Sequence, residues 1–485
     1  MQYDNDAKQL KFEVLKKVAQ YTYEGTLDKN LNQIPYDIIP GPLPTFRCCV
    51  YREREIIRER LVSAQGQNLP GQSEENIVGV LTAACEGCPI SRFTVTDNCQ
   101  HCLAKKCYSA CPFGAVSITP KGAYIDPAKC KECGRCAAAC PYNAISDTMR
   151  PCIRSCPVKA INKDEYQRAV IDYSKCISCG SCVKGCPFGA ITDRSSIVNV
   201  INEIAKQEQV FACFAPAIEG HFGMATVGML KSAIKKLGFA GVFEVSLGAD
   251  ATSYHEAQEL KEAIAEERKM TTSCCPAFVD MIEKHYPKLA PLISHTASPM
   301  TLTARYIRAN YPGAKVVFIG PCISKKMEIQ KVYDTADFVL TFEELNALFA
   351  ARNIDVTEPA EQEQDGSLPG KGFAQSGGVS GAVQRVLEDE GYDQPVACVK
   401  CNGADECKKT LMILNAGRLP EDLVEGMACM GGCVAGPGGV EEVQKLVKYR
   451  SKLLAQADQR GIKENIKVLH DFSNIDLTTD TARSC

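Results

Sequence analysis

Three apolar runs punctuate the second part of the chain: 209-QVFACFAPA-217, 241-GVFEVS-246 and 314-AKVVFIG-320, each followed by helix-like sequence. Short apolar stretches alternating with helical patterns predict α/β layering, with functional loops at the carboxyl ends of the strands. The stretch 250-DATSYHEAQEL-260 predicts a helix on which Glu256 and Glu259, three residues apart, share a face. A charged helix is predicted over 51-YREREIIRERL-61 and a C-terminal helix over roughly 438–459, whereas polar, glycine-containing 356–372 reads as a loop. The texture changes near residue 200, and 485 residues exceed what one core usually holds. The expected divisions are a helical N-terminal segment over 1–80, a cysteine-rich region over 81–198, and a larger unit over 199–485.

Charge narrows the function little. Lysine and arginine total 55 against 58 acidic residues, net -3, which points to neither a nucleic-acid nor a membrane partner. The N-terminal MQYDNDAKQLKFEV lacks a signal-peptide pattern and no apolar run is long enough to span a bilayer, so a cytoplasmic location is expected.

The 28 cysteines change the picture, because 16 of them lie between Cys85 and Cys186 at spacings of two and three residues. Such spacing in a long chain without an export signal predicts metal rather than a disulfide scaffold. Zinc also accepts four thiolates. Against zinc stands a fourfold repeat: 111-CPFGAV-116, 140-CPYNAI-145, 156-CPVKAI-161 and 186-CPFGAI-191. This resembles the closing half of the bacterial ferredoxin motif, in which three cysteines hold one cluster and the Cys-Pro cysteine reaches to the other.

Assigned that way, the opening sets pair across. Cys99, Cys102 and Cys107 join Cys140; Cys130, Cys133 and Cys136 join Cys111; Cys176, Cys179 and Cys182 join Cys156; and the split set Cys85, Cys88 and Cys152 joins Cys186. The result is four [4Fe–4S] clusters with no cysteine left over, and a complete two-cluster unit over 99–140 inserted in a second one. With every ligand position filled by thiol, His101 reads as a surface residue. Clusters in series carry single electrons from a surface docking site to a buried one, so a site is expected at the end of the wire.

Candidate residues for that site are Cys275 in 271-TTSCCPAF-278, Cys322 after AKVVFIG, and Cys429 and Cys433 in 427-MACMGGCVAGPGG-439. Four cysteines from three separated loops could hold one cubane. TSCCP, PCISKKME and MACMGGC, in this order, resemble the three signature motifs of [FeFe]-hydrogenases over roughly residues 205–470. The resemblance implies an α+β multidomain protein, ferredoxin-like cluster domains preceding an α/β H-cluster domain. It implies a cubane held by Cys275, Cys322, Cys429 and Cys433, with Cys433 bridging to a two-iron subsite that carries CO, cyanide and azadithiolate. Lys325 matches the lysine that hydrogen-bonds a cyanide, and Glu328 the glutamate that anchors it. Cys274 matches the proton-relay thiol, continued to solvent by Glu256, Glu259 and Ser294; His255 reads as a surface residue. The implied reaction is 2H⁺ + 2e⁻ ⇌ H₂, with a ferredoxin- or flavodoxin-type carrier and dedicated maturation enzymes as partners.

Departures from the best-known members are Ala277 and Phe278 in place of glycine and tryptophan, Gly320 in place of methionine, Ala217 in place of a serine donor, and GPGG after the last motif. These resemble the less-studied group B branch and suggest a smaller cavity lining with fewer donors. Two rival readings keep the same cysteines: an H₂ or redox sensor with slow turnover, from which loss of Cys274 would be expected, and an iron–sulfur electron-transfer or assembly protein without the two-iron site. Cys398, Cys401 and Cys407, in 398-CVKCNGADEC-407, lack an obvious fourth partner unless Cys213 is near, and read as free or structural thiols. Cys48, Cys49 and Cys485 receive no role.

Overall fold

The computed structural model describes residues 3, 5–85, 88, 91–206, 209–361, 364–465 and 472–479. Cys485 lies outside the described residues.

Two parallel sheets organise the second part of the chain. In the first, the strands run in the order Gly241–Glu244, Val210–Phe214, Lys315–Ile319 and Phe338–Leu340. The second runs Met270–Thr271, Leu423–Met427 and Cys398–Asn402. The central strands are buried along their length except at Lys315, so they read as continuous buried runs rather than alternating ones. All three apolar runs noted above form strands, ending at Phe214, Glu244 and Ile319, short of the ends of the runs. The C-terminal helix spans Val443–Gln456, and the stretch read as a loop contains the short helix Leu368–Gly372.

The carboxyl ends of both sheets lead into the residues of interest: Ala215 to Ala217 after the first central strand, Pro321 and Cys322 after the second, Cys274 and Cys275 after Thr271, and Cys429 after Met427. Glycines permit the close approaches this requires. A Cβ on Gly426 would stand 2.2 Å from the Phe278 ring, so the bulky residue after CCPA packs on bare backbone.

The cysteine-rich region is made of two-stranded antiparallel ladders and helices of four or five residues. Val78–Val80 pairs with Ile191–Asp193, closing the outer unit, while Phe93–Val95 with Ile145–Asp147 and Val116–Thr119 with Gly122–Ile125 belong to the inserted one. Long helices Asp6–Tyr23 and Val50–Ala64 pack across both regions.

A buried ionic knot joins all three parts. Lys326 Nζ lies 2.7 Å from Asp193 and 2.9 Å from Glu344, and Lys11 lies 2.7 Å from Asp193 and 2.8 Å from Glu343. Burial alone would raise the Asp193 pKa, but the two ammonium groups hold its carboxyl well below the usual range. Among the described residues no helix is long and apolar enough to cross a membrane.

Candidate active site

The repeated Cys-Pro-x-x-Ala has a geometric reason. The residue three after each cysteine (Gly114, Asn143, Lys159, Gly189) adopts a left-handed conformation. That bend aims the next N–H back at sulfur: Ala115 donates to Cys111 at 3.3 Å, Ala144 to Cys140 at 3.4 Å, Ala160 to Cys156 at 3.2 Å and Ala190 to Cys186 at 3.3 Å. All four alanines are buried. N–H donors on sulfur favour thiolate and tune a bound cluster. The left-handed His101, Glu132 and Ser178 repeat the device inside each Cys-x-x-Cys. His101 itself is exposed, as expected.

The four proposed sets meet in space. Burial raises the Cys107 pKa, with Cys140 and Cys102 beside it; the Cys136 thiol is raised likewise, with Cys130 and Cys111 as neighbours. Cys152 is pushed up to about 11 by burial among Cys186, Cys88 and Cys85. Cys156, Cys176, Cys179 and Cys182 line one enclosed cavity. The set around Cys179 and the split set thus each gather four thiols, the donor set of a [4Fe–4S] cluster, and the two inserted sets gather three of theirs. Among the described residues no three His, Cys, Asp or Glu side chains converge on a single ion.

The set around Cys179 abuts the second half of the chain. Cys182 has Cys152 of the split set on one side, and Cys179 neighbours Cys429 on the other. Ser324 Oγ donates to Ile177 O at 3.2 Å and Lys284 Nζ to Cys176 O at 2.6 Å. A Cβ on Gly180 would lie 2.6 Å from Pro437 and 2.8 Å from Ile323, so glycine is required at this contact.

Cys275, Cys322, Cys429 and Cys433 form one nest, each within electrostatic reach of the others. Cys275 stands at the N-cap of helix Pro276–His285, where the helix dipole favours negative charge, although burial still raises its thiol pKa. The nest otherwise disfavours bare thiolates: burial pushes Cys322 up to about 12 and raises Cys429 and Cys433 as well. Four buried thiols held together in this way fit a cationic iron–sulfur centre.

Beside the nest lies a cavity of about 80 Å³ lined by Cys274, Cys275, Cys322, Cys433 and Lys325 and by apolar side chains including Met300, Phe318, Phe373 and Met427. Ala217 lines it without offering a donor. The expected smaller lining is corrected: a Cβ on Gly320 would stand 2.6 Å from the Phe318 ring, so an aromatic ring fills space that Gly320 vacates.

Lys325 Nζ stands 2.5 Å from Glu328 Oε2, yet neither atom makes a hydrogen bond of normal angle, which leaves ammonium N–H groups free at the cavity wall. Ser298 Oγ fixes the other oxygen of Glu328 at 2.5 Å. Burial opposes the Lys325 charge, but Glu328 and the Cys322 and Cys274 sulfurs outweigh it and raise the pKa.

On the other side, Cys274 is raised well above an ordinary thiol, first by burial and then by Glu256. Glu256 is wholly buried with neither carboxyl oxygen in a well-formed hydrogen bond, and burial with Glu259 nearby pushes it up to about 8. Ser294, whose hydroxyl is within weak reach of Glu256, donates to Glu259 Oε2 at 2.5 Å. Thr296 Oγ1 also reaches Glu259 at 2.8 Å, and His295 N reaches its other oxygen at 2.7 Å. His255 is half-buried, not superficial: its Nδ1 lies 2.7 Å from Thr296 Oγ1, extending the line outward.

Sequence reasoning missed Thr296 and a third acid. Glu425 lies near Cys274 and Glu256, and accepts from Gly377 N at 2.7 Å, Ser380 N at 2.9 Å and Ser380 Oγ at 2.6 Å. An acid inside the buried strand LVEGM was the available signal. Cys213 does not join the CVKCNGADEC group, since it sits in the other sheet.

Three stretches match family models: residues 208–437 the iron only hydrogenase large subunit, C-terminal domain; 98–144 a 4Fe-4S dicluster domain; and 169–192 a 4Fe-4S binding domain. Iron hydrogenase 1 of Clostridium pasteurianum is 27% identical over 57% of this chain and 59% of its own length. A probable cytosolic Fe-S cluster assembly factor of Caenorhabditis elegans is 24% identical over 51% of this chain and 66% of its own. The chain thus spans less than two thirds of these curated relatives. A solved [FeFe]-hydrogenase variant from Chlamydomonas reinhardtii shares the fold, with a TM-score of 0.50 at 23% identity over 58% of this chain and 94% of that one. The chain is a homologue of the [FeFe]-hydrogenases, in which 4Fe–4S binding domains precede the C-terminal domain of an iron-only hydrogenase large subunit.

Proposed function

We propose that this protein is an [FeFe]-hydrogenase interconverting protons and electrons with H₂, fed through four accessory [4Fe–4S] clusters by a ferredoxin- or flavodoxin-type carrier in the cytoplasm. The carrying observation is that one apolar cavity is faced by the Lys325 ammonium and the Cys274 thiol while four further cysteines gather at its edge. Cys275, Cys322, Cys429 and Cys433 would hold the cubane, with Cys433 next to the two-iron subsite that maturation enzymes deliver. When bound, that subsite supplies the metal at which protons and electrons combine.

The protein's own part is to orient, exclude water and move protons. Lys325, positioned by Glu328 and Ser298, presents N–H donors to anionic ligands. Met300, Phe318, Phe373 and Met427 keep the cavity dry. Cys274 exchanges a proton with the cavity on one side and Glu256 on the other; Ser294 then passes it to Glu259. A carboxyl near 8 can both take and give a proton at neutral pH.

The assembly-factor relative favours a second reading, in which the cysteines hold clusters and no two-iron unit binds. Cys274, Lys325 and the relay have no purpose in that case. Isotope exchange between D₂ and H₂O by the matured protein separates the two: steady HD release supports the enzyme, and none from protein with full iron content supports the carrier or assembly role.

A further inference from the structure

The residue two after each Cys-Pro cysteine is large and apolar: Phe113, Tyr142, Val158 and Phe188. The fold treats the four differently. Val158 and Phe188, in the outer unit, are half-buried by this chain: Val158 packs on the core cluster holding Ile177 and Phe278, and the Arg47 guanidinium lies 4.5 Å from the centre of the Phe188 ring. Phe113 and Tyr142, in the inserted unit, are 47% and 51% exposed. Leu103 and Tyr108 of the same unit are exposed too, Leu103 almost completely at 97%. Scattered apolar side chains on a surface are ordinary. Here three of them stand within two residues of a thiol of one set: Leu103 beside Cys102, Tyr108 beside Cys107 and Tyr142 two past Cys140.

That set faces away from the rest of the protein. The loop of the other inserted set is tied to the outer unit, where Lys163 Nζ lies 2.7 Å from Glu132, between Cys130 and Cys133. Among the described residues, no hydrogen bond or ion pair joins 99–108 to anything outside 91–148. Charge then narrows what could cover the bare face. Residues 98–144 carry six lysines and arginines against two acids, in a chain whose net charge is -3. Both acids are engaged, Asp126 by Lys129 at 3.7 Å and Glu132 by Lys163. Lys105 and Lys106, between Cys102 and Cys107, are exposed and make no ion pair among the described residues.

We propose that Leu103, Tyr108 and Tyr142, with Lys105 and Lys106, form the docking face for an acidic one-electron carrier protein, whose electron enters at the set of Cys99, Cys102, Cys107 and Cys140. The ammonium groups steer the carrier in, and the apolar side chains supply the water-excluding centre of the contact. The carrier loses one electron and the cluster gains it; no bond forms or breaks. The electron then passes to the Cys130 set, whose loop touches the outer unit, and on toward Cys179. This face presupposes a cluster at the Cys99 set, as in the function proposed above, but no two-iron subsite.

The test mixes cluster-loaded protein rapidly with the hydroquinone of an acidic flavodoxin and follows the rise of its blue semiquinone. The bimolecular rate should fall about tenfold between low and physiological salt. A double variant, Lys105→Glu with Lys106→Glu, should lower the low-salt rate at least about tenfold, while bleaching of the clusters by photogenerated deazaflavin radical, a small neutral donor, changes less than about twofold. A variant as fast as the parent with flavodoxin would overturn the docking face. If the variant does not load clusters, carbodiimide cross-linking of the parent to flavodoxin decides: amide bonds from flavodoxin carboxylates to Lys105 or Lys106 are expected. Cross-links elsewhere on the chain, or to a second copy of it, would overturn the face. Iron content measured beforehand distinguishes this failure from a protein that holds no cluster at the Cys99 set, and a missing two-iron unit alters none of these readouts.

Discussion

Cys156 owes its place to its own neighbours in sequence: Ala160, four residues on, returns an N–H to its sulfur at 3.2 Å. Cys322 owes its setting to residues far along the chain, with Cys275, Cys429 and Cys433 gathered around it where loops of the two sheets meet. The first arrangement is local, repeated and rich in backbone donors, which suits a cluster that only passes electrons. The second is assembled from three loops, wrapped in apolar side chains and poor in donors, so each of the few polar groups left inside carries a large electrostatic effect. Under the proposed function, electron relay and proton chemistry would occupy different dielectric settings, joined at the contact of Gly180 with Pro437 and Ile323.

The sharpest way to break this contrast is Cys274→Ala. Turnover should fall by about two to four orders of magnitude, the contribution of a positioned acid–base group, while cluster content stays that of the parent. Loss of iron in step with activity would instead make Cys274 a structural residue. Measured together, iron content and H₂ production decide between them.

Glu256→Gln should cost turnover on the order of a hundredfold and move stability the opposite way. The folded carboxyl is pushed up to about 8 from an ordinary value of 4.5, so the folded state holds a proton that the unfolded state releases. Stability from this group is therefore lost as pH rises from about 4.5 to about 8, then stays level. The variant should gain on the order of a few kcal/mol relative to the parent at pH 9 and nothing at pH 4, read by denaturant unfolding. A pH-independent difference would contradict the buried, protonated acid.

Ser294→Ala removes the 2.5 Å link to Glu259 and should lower turnover roughly tenfold, with the deficit shrinking when small buffer acids are added. The smallest effect sharpens the junction. Gly180→Ala forces a left-handed alanine against Pro437 and Ile323, which should destabilise by roughly 1–3 kcal/mol. It should also slow turnover a few-fold with a protein carrier while a small dye that reaches the inner cluster is less affected. Equal loss with both donors would argue against electron entry along this wire.

How far the sequence could be read follows the same division. The accessory thiols were legible because a cluster ligand, its turn and its N–H donor all fall within five residues, so the repeat carries the geometry. The nest of Cys275, Cys322, Cys429 and Cys433 was legible only through the order of three motifs, since no spacing could bring residues so far apart in sequence together. Thr296 and Glu425 escaped notice, and His255 was read as superficial, because their importance comes from contacts made on folding: Thr296 meets Glu259 and His255 only once helix Ser246–Ala265 packs beside it. The lining was misjudged for the same reason. Gly320 signals a missing side chain, but Phe318, two residues back on the same strand, turns its ring into that space.

Infrared spectroscopy of anaerobically matured protein, in the region where metal-bound CO and cyanide absorb, tests the central claim most directly. Sharp bands that shift under H₂, with the cyanide bands displaced in Lys325→Gln, are the predicted result. Their absence from protein with filled clusters, after incubation with a synthetic two-iron cofactor, would contradict the account and leave an iron–sulfur carrier or assembly protein.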